Sequence, residues 1–349
     1  MSRLTPEQVR RRLDRGLVPA VPVPFTAMTE IDLDAQARYV GYMRGQPVAG
    51  VAVWAHTGRG LHLSRAQRLQ VLRAWGEGLN PRPRAGRKIV VAGIGGAPAA
   101  SRDLTAFVNS AFEMADDALA GGAHAFLVHP PSPFRRSPDL EALVLDYHQQ
   151  LARLGAPLIL FYLYEAAGGI AYSPELLRRL LALPQVVGIK LATLDSVMTF
   201  QSVAHLVAGE FPRKLLITGE DRFLGYSLMC GARAALIGMG AACTGLQHKL
   251  MRAHFDGKAA TFLALSEAVD RLSQVTFVPP MEGYIRRMLW VLAHLGVIER
   301  ESAHDPWGPE LEEGEFVAIG KTLRALGELP SRRVRGVEIA RRALTRSLR

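Results

Sequence analysis

The sequence contains only two cysteines, Cys230 and Cys243, among its 349 residues. Their spacing is not that of a metal site, and two cysteines are too few for a disulfide framework. We therefore expect a reducing compartment and no disulfides. No other residues have the spacing of a metal-ligand set, so we expect no metal and no cofactor.

Long apolar runs are also missing. No stretch reaches the roughly 20 apolar residues that a membrane-spanning helix needs. The first residues, Met1–Glu7, lack the apolar core of a secretory signal. We expect no membrane association and a cytoplasmic location.

Positive charge outweighs negative charge, with 42 Lys and Arg against 32 Asp and Glu and a net charge of +10. The excess lies almost entirely at the two ends. Residues 331–349 hold seven arginines against one glutamate, and residues 1–15 hold five arginines against two acidic residues. Basic ends of this kind are usually solvated or dock against subunits. We do not expect nucleic acid as a partner.

Short apolar runs alternate with helical patterns along most of the chain. The predicted strands are Leu17–Phe25, Gly50–Ala55, Lys88–Ile94, Ala125–His129, Pro157–Tyr162, Val186–Lys190, Lys214–Gly219 and Ala234–Met239. The predicted helices are 33–45, 64–77, 102–121, 138–153, 174–183, 222–230 and 245–255. Such alternation indicates βαβ units, and eight strands in about 240 residues predict a (β/α)₈ barrel. The alternative is an open doubly wound sheet, but no GxGxxG follows the first strand.

After the eighth strand, about 110 residues show helical periodicity and no strand pattern. Helices are predicted at Phe262–Leu272, Glu282–Leu295 and Glu315–Leu326. We divide the chain into a basic N-terminal segment (1–15), the barrel (16–245), a C-terminal helical extension (246–330) and an Arg-rich tail (331–349).

Lys190 closes the apolar run Val186–Lys190. A lysine is rarely buried, and desolvation lowers the pKa of an amine enough to let it form a Schiff base. The alternative is a strand-end lysine whose amine reaches solvent.

Tyr162 ends the preceding predicted strand. Because active sites of these barrels lie at the C-terminal ends of strands about 4.8 Å apart, we expect its phenol beside Lys190 as a proton-transfer group. The alternative is a core tyrosine bonded to the backbone.

Several motifs follow one another along the predicted barrel. They are Pro22-Val23-Pro24-Phe25 with Ile31-Asp32, His56-Thr57-Gly58, Pro157–Tyr162, Val187-Gly188-Ile189-Lys190 and Gly219-Glu220-Asp221. In order and spacing they resemble the dihydrodipicolinate synthase / N-acetylneuraminate lyase superfamily of Schiff-base aldolases, over about residues 15–300. The resemblance implies an imine between Lys190 and pyruvate or a related 2-keto acid, with Tyr162 moving protons.

The resemblance also implies substrate-binding residues and an assembly. Thr57 and the backbone amides around Gly58 would bind the substrate carboxylate, and Ile237 would place its carbonyl near the reacting substrate. The family further suggests a homotetramer built as a dimer of dimers.

The chain departs from the family pattern at several substrate-side positions. His56 replaces the first threonine of a pair. Its candidate roles are a second acid or base, a hydrogen-bond donor to the substrate, or a structural histidine bonded to the loop backbone. Arg59 stands where the family has glutamate, either to recruit a carboxylate or phosphate or simply to face solvent. True synthases carry an arginine where this chain has Ala167, and a relay tyrosine near the position of Ser132. The synthase reaction is therefore disfavoured.

Two glutamates are further candidates, Glu165 and Glu220, as polar ligands of a sugar-like chain. Glu220 has the alternative of a helix-start position favoured by the dipole.

The prediction is a lyase or aldolase that forms a Schiff base with pyruvate or a related 2-keto acid, with an aldehyde as a candidate second substrate. One alternative is a dehydratase of a 2-keto-3-deoxy sugar acid using the same imine. Another is a non-catalytic binding or regulatory protein on the same barrel, which the presence of both Lys190 and Tyr162 disfavours.

Overall fold

The computed structural model describes residues 3–80, 88–194 and 196–329, so the Arg-rich tail lies outside the described residues. The strands are β1 (Leu17–Pro19), β2 (Gly50–Val53), β3 (Ile89–Ile94), β4 (Ala125–Val128), β5 (Leu158–Leu163), β6 (Val186–Ala192), β7 (Leu215–Thr218) and β8 (Ala234–Ile237). The α-helices are α1 (Pro6–Leu13), α2 (Leu33–Arg44), α3 (Arg65–Leu79), α4 (Leu104–Ala120), α5 (Leu140–Arg153), α6 (Pro174–Leu181), α7 (Val197–Glu210), α8 (Leu224–Met229), α9 (Thr244–Phe255), α10 (Ala259–Thr276), α11 (Tyr284–His294) and α12 (Glu313–Ala325).

The eight strands form one parallel sheet in the order β1-β8-β7-β6-β5-β4-β3-β2. A parallel bridge between Ala20 and Ala52 joins the two ends of this order next to β1 and β2. The sheet therefore closes on itself, and the predicted (β/α)₈ barrel is confirmed.

Alternation along the strands separates two apolar layers, because successive side chains point to opposite faces of a strand. Ile159 and Phe161 of β5 pack in the barrel interior with Val187 of β6. Leu160 and Tyr162, the alternate residues of β5, pack in the outer layer between the sheet and the helices. The mouth of the barrel is therefore lined by only one set of strand residues.

The basic N-terminal segment contains a helix that the sequence patterns did not predict. Thr5 caps α1, and Val9 and Leu13 pack into the barrel interior. Asp14, just after α1, forms an ion pair with Arg233, which precedes β8. Helix α1 thus closes the N-terminal end of the barrel, opposite the predicted active site.

Several strand boundaries differ from the sequence prediction, and one helix of the barrel was not predicted. Strand β1 stops at Pro19 rather than Phe25, since Pro22 and Pro24 have no N–H for a sheet ladder. Strand β6 runs two residues past Lys190, so Lys190 lies inside the strand. Helix α7 was not predicted.

The C-terminal region is helical, as predicted. Helix α10 packs on α9 and α12, and the turn between α10 and α11 lies over the mouth of the barrel, where Phe277 and Tyr284 face Lys190 across one cavity. Among the described residues, no helix is long and apolar enough to cross a membrane.

Candidate active site

Lys190 projects from β6 into the mouth of the barrel and is 6% exposed. Its Nζ lies 4.0 Å from the centre of the Phe161 ring on β5. Within the described part of the chain, Nζ makes no hydrogen bond and no ion pair. The amine is therefore desolvated without a direct polar partner.

Burial lowers the pKa of Lys190 to about 8, although the carboxylates of Asp221 and Glu220 oppose this shift. Burial also raises the pKa of Asp221, whose carboxylate accepts a hydrogen bond from the Met239 N–H at 2.6 Å. A carboxyl group and an amine therefore share the mouth, and the loss of hydration favours the neutral form of each.

Two glycines leave room for the side chains of this site. A Cβ on Gly219 would lie 2.5 Å from the Lys190 Cε. A Cβ on Gly238 would lie 2.9 Å from the Tyr284 ring and 3.3 Å from the Thr57 Oγ1. Larger residues at either position would displace the groups that line the mouth.

The structure does not bring Tyr162 to Lys190. The sequence separation of 28 residues holds at the start of the pair, where Leu158 lies opposite Val186, but a bulge follows and shifts the register by one residue. The residue opposite Lys190 is consequently Phe161, and Tyr162 points away from the barrel interior.

Tyr162 packs on Tyr172 in an edge-to-face arrangement with ring centres 5.4 Å apart. A hydrogen bond with the backbone of Tyr172 lowers its pKa, but burial has the larger effect and raises it. Tyr162 lines a neighbouring cleft of about 270 Å³, together with Glu165. Its environment matches the alternative of a core tyrosine bonded to backbone.

His56 and Thr57 do lie at the mouth, in a short 3₁₀ turn after β2. The Thr57 Oγ1 is 2.9 Å from the Tyr284 hydroxyl, and the His56 Nδ1 is 3.2 Å from the same hydroxyl. The His56 Nε2 faces the Glu282 Oε1 at 3.3 Å. Burial, reinforced by the cations of Arg59 and Lys190, lowers the pKa of His56 so far that its ring is neutral near pH 7.

Gly58 does not line the cavity that Lys190 faces. Its N–H donates to the Ala55 carbonyl at 2.9 Å, and the Arg59 N–H donates to the His56 carbonyl at 3.1 Å. These two amides, predicted to bind the substrate carboxylate, are therefore used within the turn. Thr57 keeps its predicted position at the cavity wall.

Ile237 also differs from its predicted role. Its carbonyl accepts a hydrogen bond from the Ala20 N–H at 2.9 Å, in the seam between β1 and β8. The next residue, Gly238, lines the cavity instead. The carbonyl that the family resemblance places near the substrate therefore already accepts a hydrogen bond within the sheet.

Arg59 is buried and paired, rather than free for a ligand or turned to solvent. It is 6% exposed, and its guanidinium contacts Asp305 and Glu282, each at 2.7 Å. Both carboxylates belong to the C-terminal region, so Arg59 fastens that region to the β2 turn.

Glu220 is also structural in its contacts. It accepts hydrogen bonds from the backbone N–H groups of Thr193 and Leu194 and from the Thr193 hydroxyl. Burial raises its pKa to about 7. His129, at the end of β4, is likewise buried, with its Nε2 3.3 Å from the Trp54 carbonyl.

The C-terminal wall of the cavity is formed by Phe277, Met281 and Tyr284, none of which was predicted as a site residue. Tyr284 is 8% exposed, its ring stacks on Phe277 with centres 4.8 Å apart, and burial raises its pKa well above 10. The only local signal was the helix-breaking Pro279-Pro280 pair, which predicts a turn but not its position over the barrel.

The cavity in front of Lys190 has a volume of about 40 Å³, roughly three times what one buried water requires. Its wall consists of His56, Thr57, Phe161, Leu163, Tyr164, Lys190, Ala192, Leu194, Gly219, Asp221, Gly238, Phe277, Met281 and Tyr284. It holds an amine, a carboxyl group, an imidazole and hydroxyl groups, which are the groups that carbonyl addition and proton transfer require. In the described ranges, no three His, Cys, Asp or Glu side chains are grouped to hold a metal ion.

Comparison with known proteins agrees with this architecture. A 4-hydroxy-tetrahydrodipicolinate synthase of Synechococcus sp. is 27% identical over 264 residues, covering 75% of this chain and 80% of that protein. An N-acetylneuraminate lyase of Escherichia coli O6:H1 is 20% identical over 315 residues, covering 90% and 95%. The crystal structure of Escherichia coli K12 YagE in complex with pyruvate has the same fold, with a TM-score of 0.75, 22% identity and coverage of 89% of this chain and 98% of that one.

The model of the dihydrodipicolinate synthetase family matches residues 14–325, which include the barrel, the wall of the cavity and α10 to α12. Its relatives of similar length are named as synthases, aldolases and lyases. The chain is therefore a divergent member of the dihydrodipicolinate synthetase family.

Proposed function

We propose that this protein is a lyase or aldolase that forms a Schiff base between Lys190 and the carbonyl group of a 2-keto acid. The observation that carries the proposal is the amine itself: buried, without a hydrogen-bonding partner among the described residues, lowered in pKa to about 8 and facing a small cavity. An amine in this state is nucleophilic near neutral pH.

The Lys190 amine would add to the C2 carbonyl, and loss of water would leave a protonated imine. This cation withdraws electrons from C3, so that a C3–H or C3–C4 bond can break and leave an enamine. The face of the Phe161 ring lies 4.0 Å from Nζ, where it favours a cation at nitrogen. The ring therefore supports the imine as well as the ammonium group.

The size and polarity of the site support a small 2-keto acid as the group bound at Lys190. Thr57 lies on the cavity wall as the proposed hydroxyl contact of the carboxylate. The related YagE structure holds pyruvate, which supports the same class of ligand for this chain. The absence of an arginine at Ala167 still disfavours the dihydrodipicolinate synthase reaction.

Borohydride trapping with pyruvate, read by intact mass, tests the proposal. We expect a stable adduct in the wild-type protein and none in Lys190→Met. Lys214→Met is the matched control, because burial also lowers the pKa of Lys214 while its amine donates to the carbonyls of Leu183 and Val186, away from the cavity. No adduct in the wild type with pyruvate or 2-oxobutyrate would favour the non-catalytic binding protein. An adduct that survives Lys190→Met would show that another amine, and not Lys190, forms the Schiff base.

A second assay separates the two reaction types. Incubation with 2-keto-3-deoxygluconate releases pyruvate if the enzyme cleaves the C3–C4 bond. A dehydratase would instead consume the sugar acid without releasing pyruvate.

A further inference from the structure

Glu282, His56 and Tyr284 form a series of close polar contacts that runs from the surface to the cavity of Lys190: an ion-pair contact between Glu282 and His56 and a hydrogen bond between His56 and Tyr284. The Glu282 side chain is 39% exposed, whereas Tyr284 is buried on the cavity wall. The intervening contacts are 3.3 Å from Glu282 to His56 and 3.2 Å from His56 to Tyr284. The series joins the turn after β2, which holds His56, to Glu282 just before α11 and to Tyr284 at the first position of α11.

The position of the His56 ring proton, and with it the direction of the hydrogen bond to Tyr284, follows from the neighbouring groups. His56 is neutral, and its Nε2 faces a carboxylate that can only accept, so the proton of the ring lies on Nε2. Nδ1 is then an acceptor, and the Tyr284 hydroxyl donates to it. The Tyr284 oxygen in turn accepts the hydroxyl proton of Thr57 at 2.9 Å. When the keto acid binds, Thr57 would donate this proton to the carboxylate instead, which frees the Tyr284 oxygen to accept a proton from the substrate.

A carboxylate, an imidazole and a hydroxyl group in this order can act as a base through the hydroxyl oxygen, as in the Ser-His-Asp arrangement. Two neighbouring residues position these groups. The Arg59 guanidinium contacts the Glu282 carboxylate at 2.7 Å. Gly238, which has no side chain, leaves the space that the Tyr284 ring and the Thr57 hydroxyl occupy. Tyr162, by contrast, packs in the outer layer.

We propose that Glu282, His56 and Tyr284 are the proton relay of the Lys190 site, with His56 as the base and the Tyr284 phenol as the group that exchanges protons with the substrate. The proposal rests on the proposed imine at Lys190. The C3–H bond of the bound keto acid breaks, its electron pair becomes the C2–C3 double bond, and the C=N pair moves onto nitrogen.

The released proton binds to the Tyr284 oxygen while the phenolic proton moves to the His56 Nδ1. The resulting imidazolium lies 3.3 Å from the Glu282 carboxylate, whose charge favours it against the opposing effects of burial, Arg59 and Lys190. Reversal of these steps returns a proton to C3, and in D₂O it returns a deuteron.

Two readouts on the full-length protein with pyruvate separate the relay from the imine. Borohydride trapping reports the imine, and NMR of the pyruvate methyl group in D₂O reports C3 exchange. In Tyr284→Phe and His56→Asn we expect exchange to fall about 10²-fold, while the final yield of trapped adduct stays at the wild-type level. Glu282→Gln keeps a hydrogen-bond acceptor but removes the negative charge, so the rate of C3 exchange should fall about tenfold.

Tyr226→Phe, on α8 where the hydroxyl contacts Gln201, is the matched control and should exchange at the wild-type rate. Tyr162→Phe tests the proton-transfer role that the sequence predicted for Tyr162. Its rate of C3 exchange should stay within about threefold of the wild-type rate.

The proposed relay is wrong if the C3 exchange rate of Tyr284→Phe is within threefold of the wild-type rate. It is also wrong if Tyr162→Phe lowers the exchange rate as much as Tyr284→Phe does, or if the wild type forms the adduct without any exchange. Absence of the adduct in the wild type would instead overturn the proposed function on which the relay rests. If circular dichroism shows that Tyr284→Phe is unfolded, His56→Asn and Glu282→Gln decide the question by the same criteria.

Discussion

At the residue scale, the reactivity of Lys190 comes from opposing effects on one amine. Burial favours the neutral, nucleophilic form, while Asp221 and the Phe161 ring favour the cation. The balance leaves the pKa at about 8, below the ordinary value of 10.5. The amine is therefore available near neutral pH, and the nitrogen can still carry a positive charge as an imine.

This balance predicts the pH dependence of imine formation. The neutral amine is the nucleophile, so the initial rate of adduct formation with pyruvate should rise about tenfold per pH unit below pH 8 and level off above it. Rapid quenching with borohydride and mass spectrometry measures the rate, and circular dichroism checks that the fold persists. A rate that still rises steeply from pH 9 to 10 would indicate an ordinary lysine.

Gly219→Ala tests the space that the lysine needs. Its methyl group would lie 2.5 Å from the Lys190 Cε, so the amine must move, and we expect adduct formation to slow about 10²-fold. Gly41→Ala on α2 is the control, because no described atom outside the local helix backbone lies within 4 Å of the added carbon. It should leave adduct formation unchanged and raise the unfolding free energy by about 0.5–1 kcal/mol. Equal rates in the two variants would contradict the close packing around Lys190.

Residue patterns identified Lys190, Thr57 and His56 as members of the mouth, because strand ends of a parallel barrel converge there. They misplaced Tyr162, since a bulge between Leu158 and Ile159 changes the register by one residue and reverses the face. Nothing in the local sequence distinguishes a regular pairing from a bulged one.

At the element scale, the alternation of strands and helices was predictable because each βα unit has its own hydrophobic period. Helix α1 was not, since its eight residues include three arginines and only two buried apolar side chains, Val9 and Leu13. Those two side chains nevertheless enter the barrel interior.

Leu13→Ala tests whether α1 seals the barrel. Leu13 is 1% exposed, and its truncation should cost about 2–5 kcal/mol of unfolding free energy. Arg11→Ala, on the exposed side of the same helix, should change it by less than about 0.5 kcal/mol. Urea unfolding of both variants measures the difference, and a negligible cost for Leu13→Ala would show that α1 is dispensable.

At the scale of the whole molecule, the C-terminal region completes the active site and is fastened to the barrel by Arg59. Its contacts join residues far apart in sequence: Thr57 and Tyr284 are separated by 227 positions, and Arg59 and Asp305 by 246. Helix periodicity predicted the helices of this region but carries no information about which surface they cover. This is why the C-terminal wall of the cavity was missed.

Asp305→Ala tests this attachment. The variant leaves the buried Arg59 without its main partner, so we expect a loss of about 3–5 kcal/mol in unfolding free energy. Glu210→Ala, which removes the partner of Arg178 in an exposed ion pair, should cost at most about 1 kcal/mol. Denaturant titration of the two variants compares them, and similar losses would mean that Arg59 is not a structural clasp.

The homotetramer suggested by the family resemblance stays a prediction. Light scattering of the full-length protein should give four chain masses, and a single chain mass would contradict it.

The ion pairs of Arg59 with Glu282 and Asp305 join the barrel to a region that is synthesised after it. The last strand of the barrel, β8, ends at Ile237 and leaves the ribosome about 47 residues before Tyr284, an interval of roughly 2–9 seconds at ordinary translation rates. During that interval the wall that contains Phe277 and Tyr284 does not exist. The nascent barrel therefore carries its amine uncovered, and the enclosed reaction chamber is among the last parts of the molecule to form.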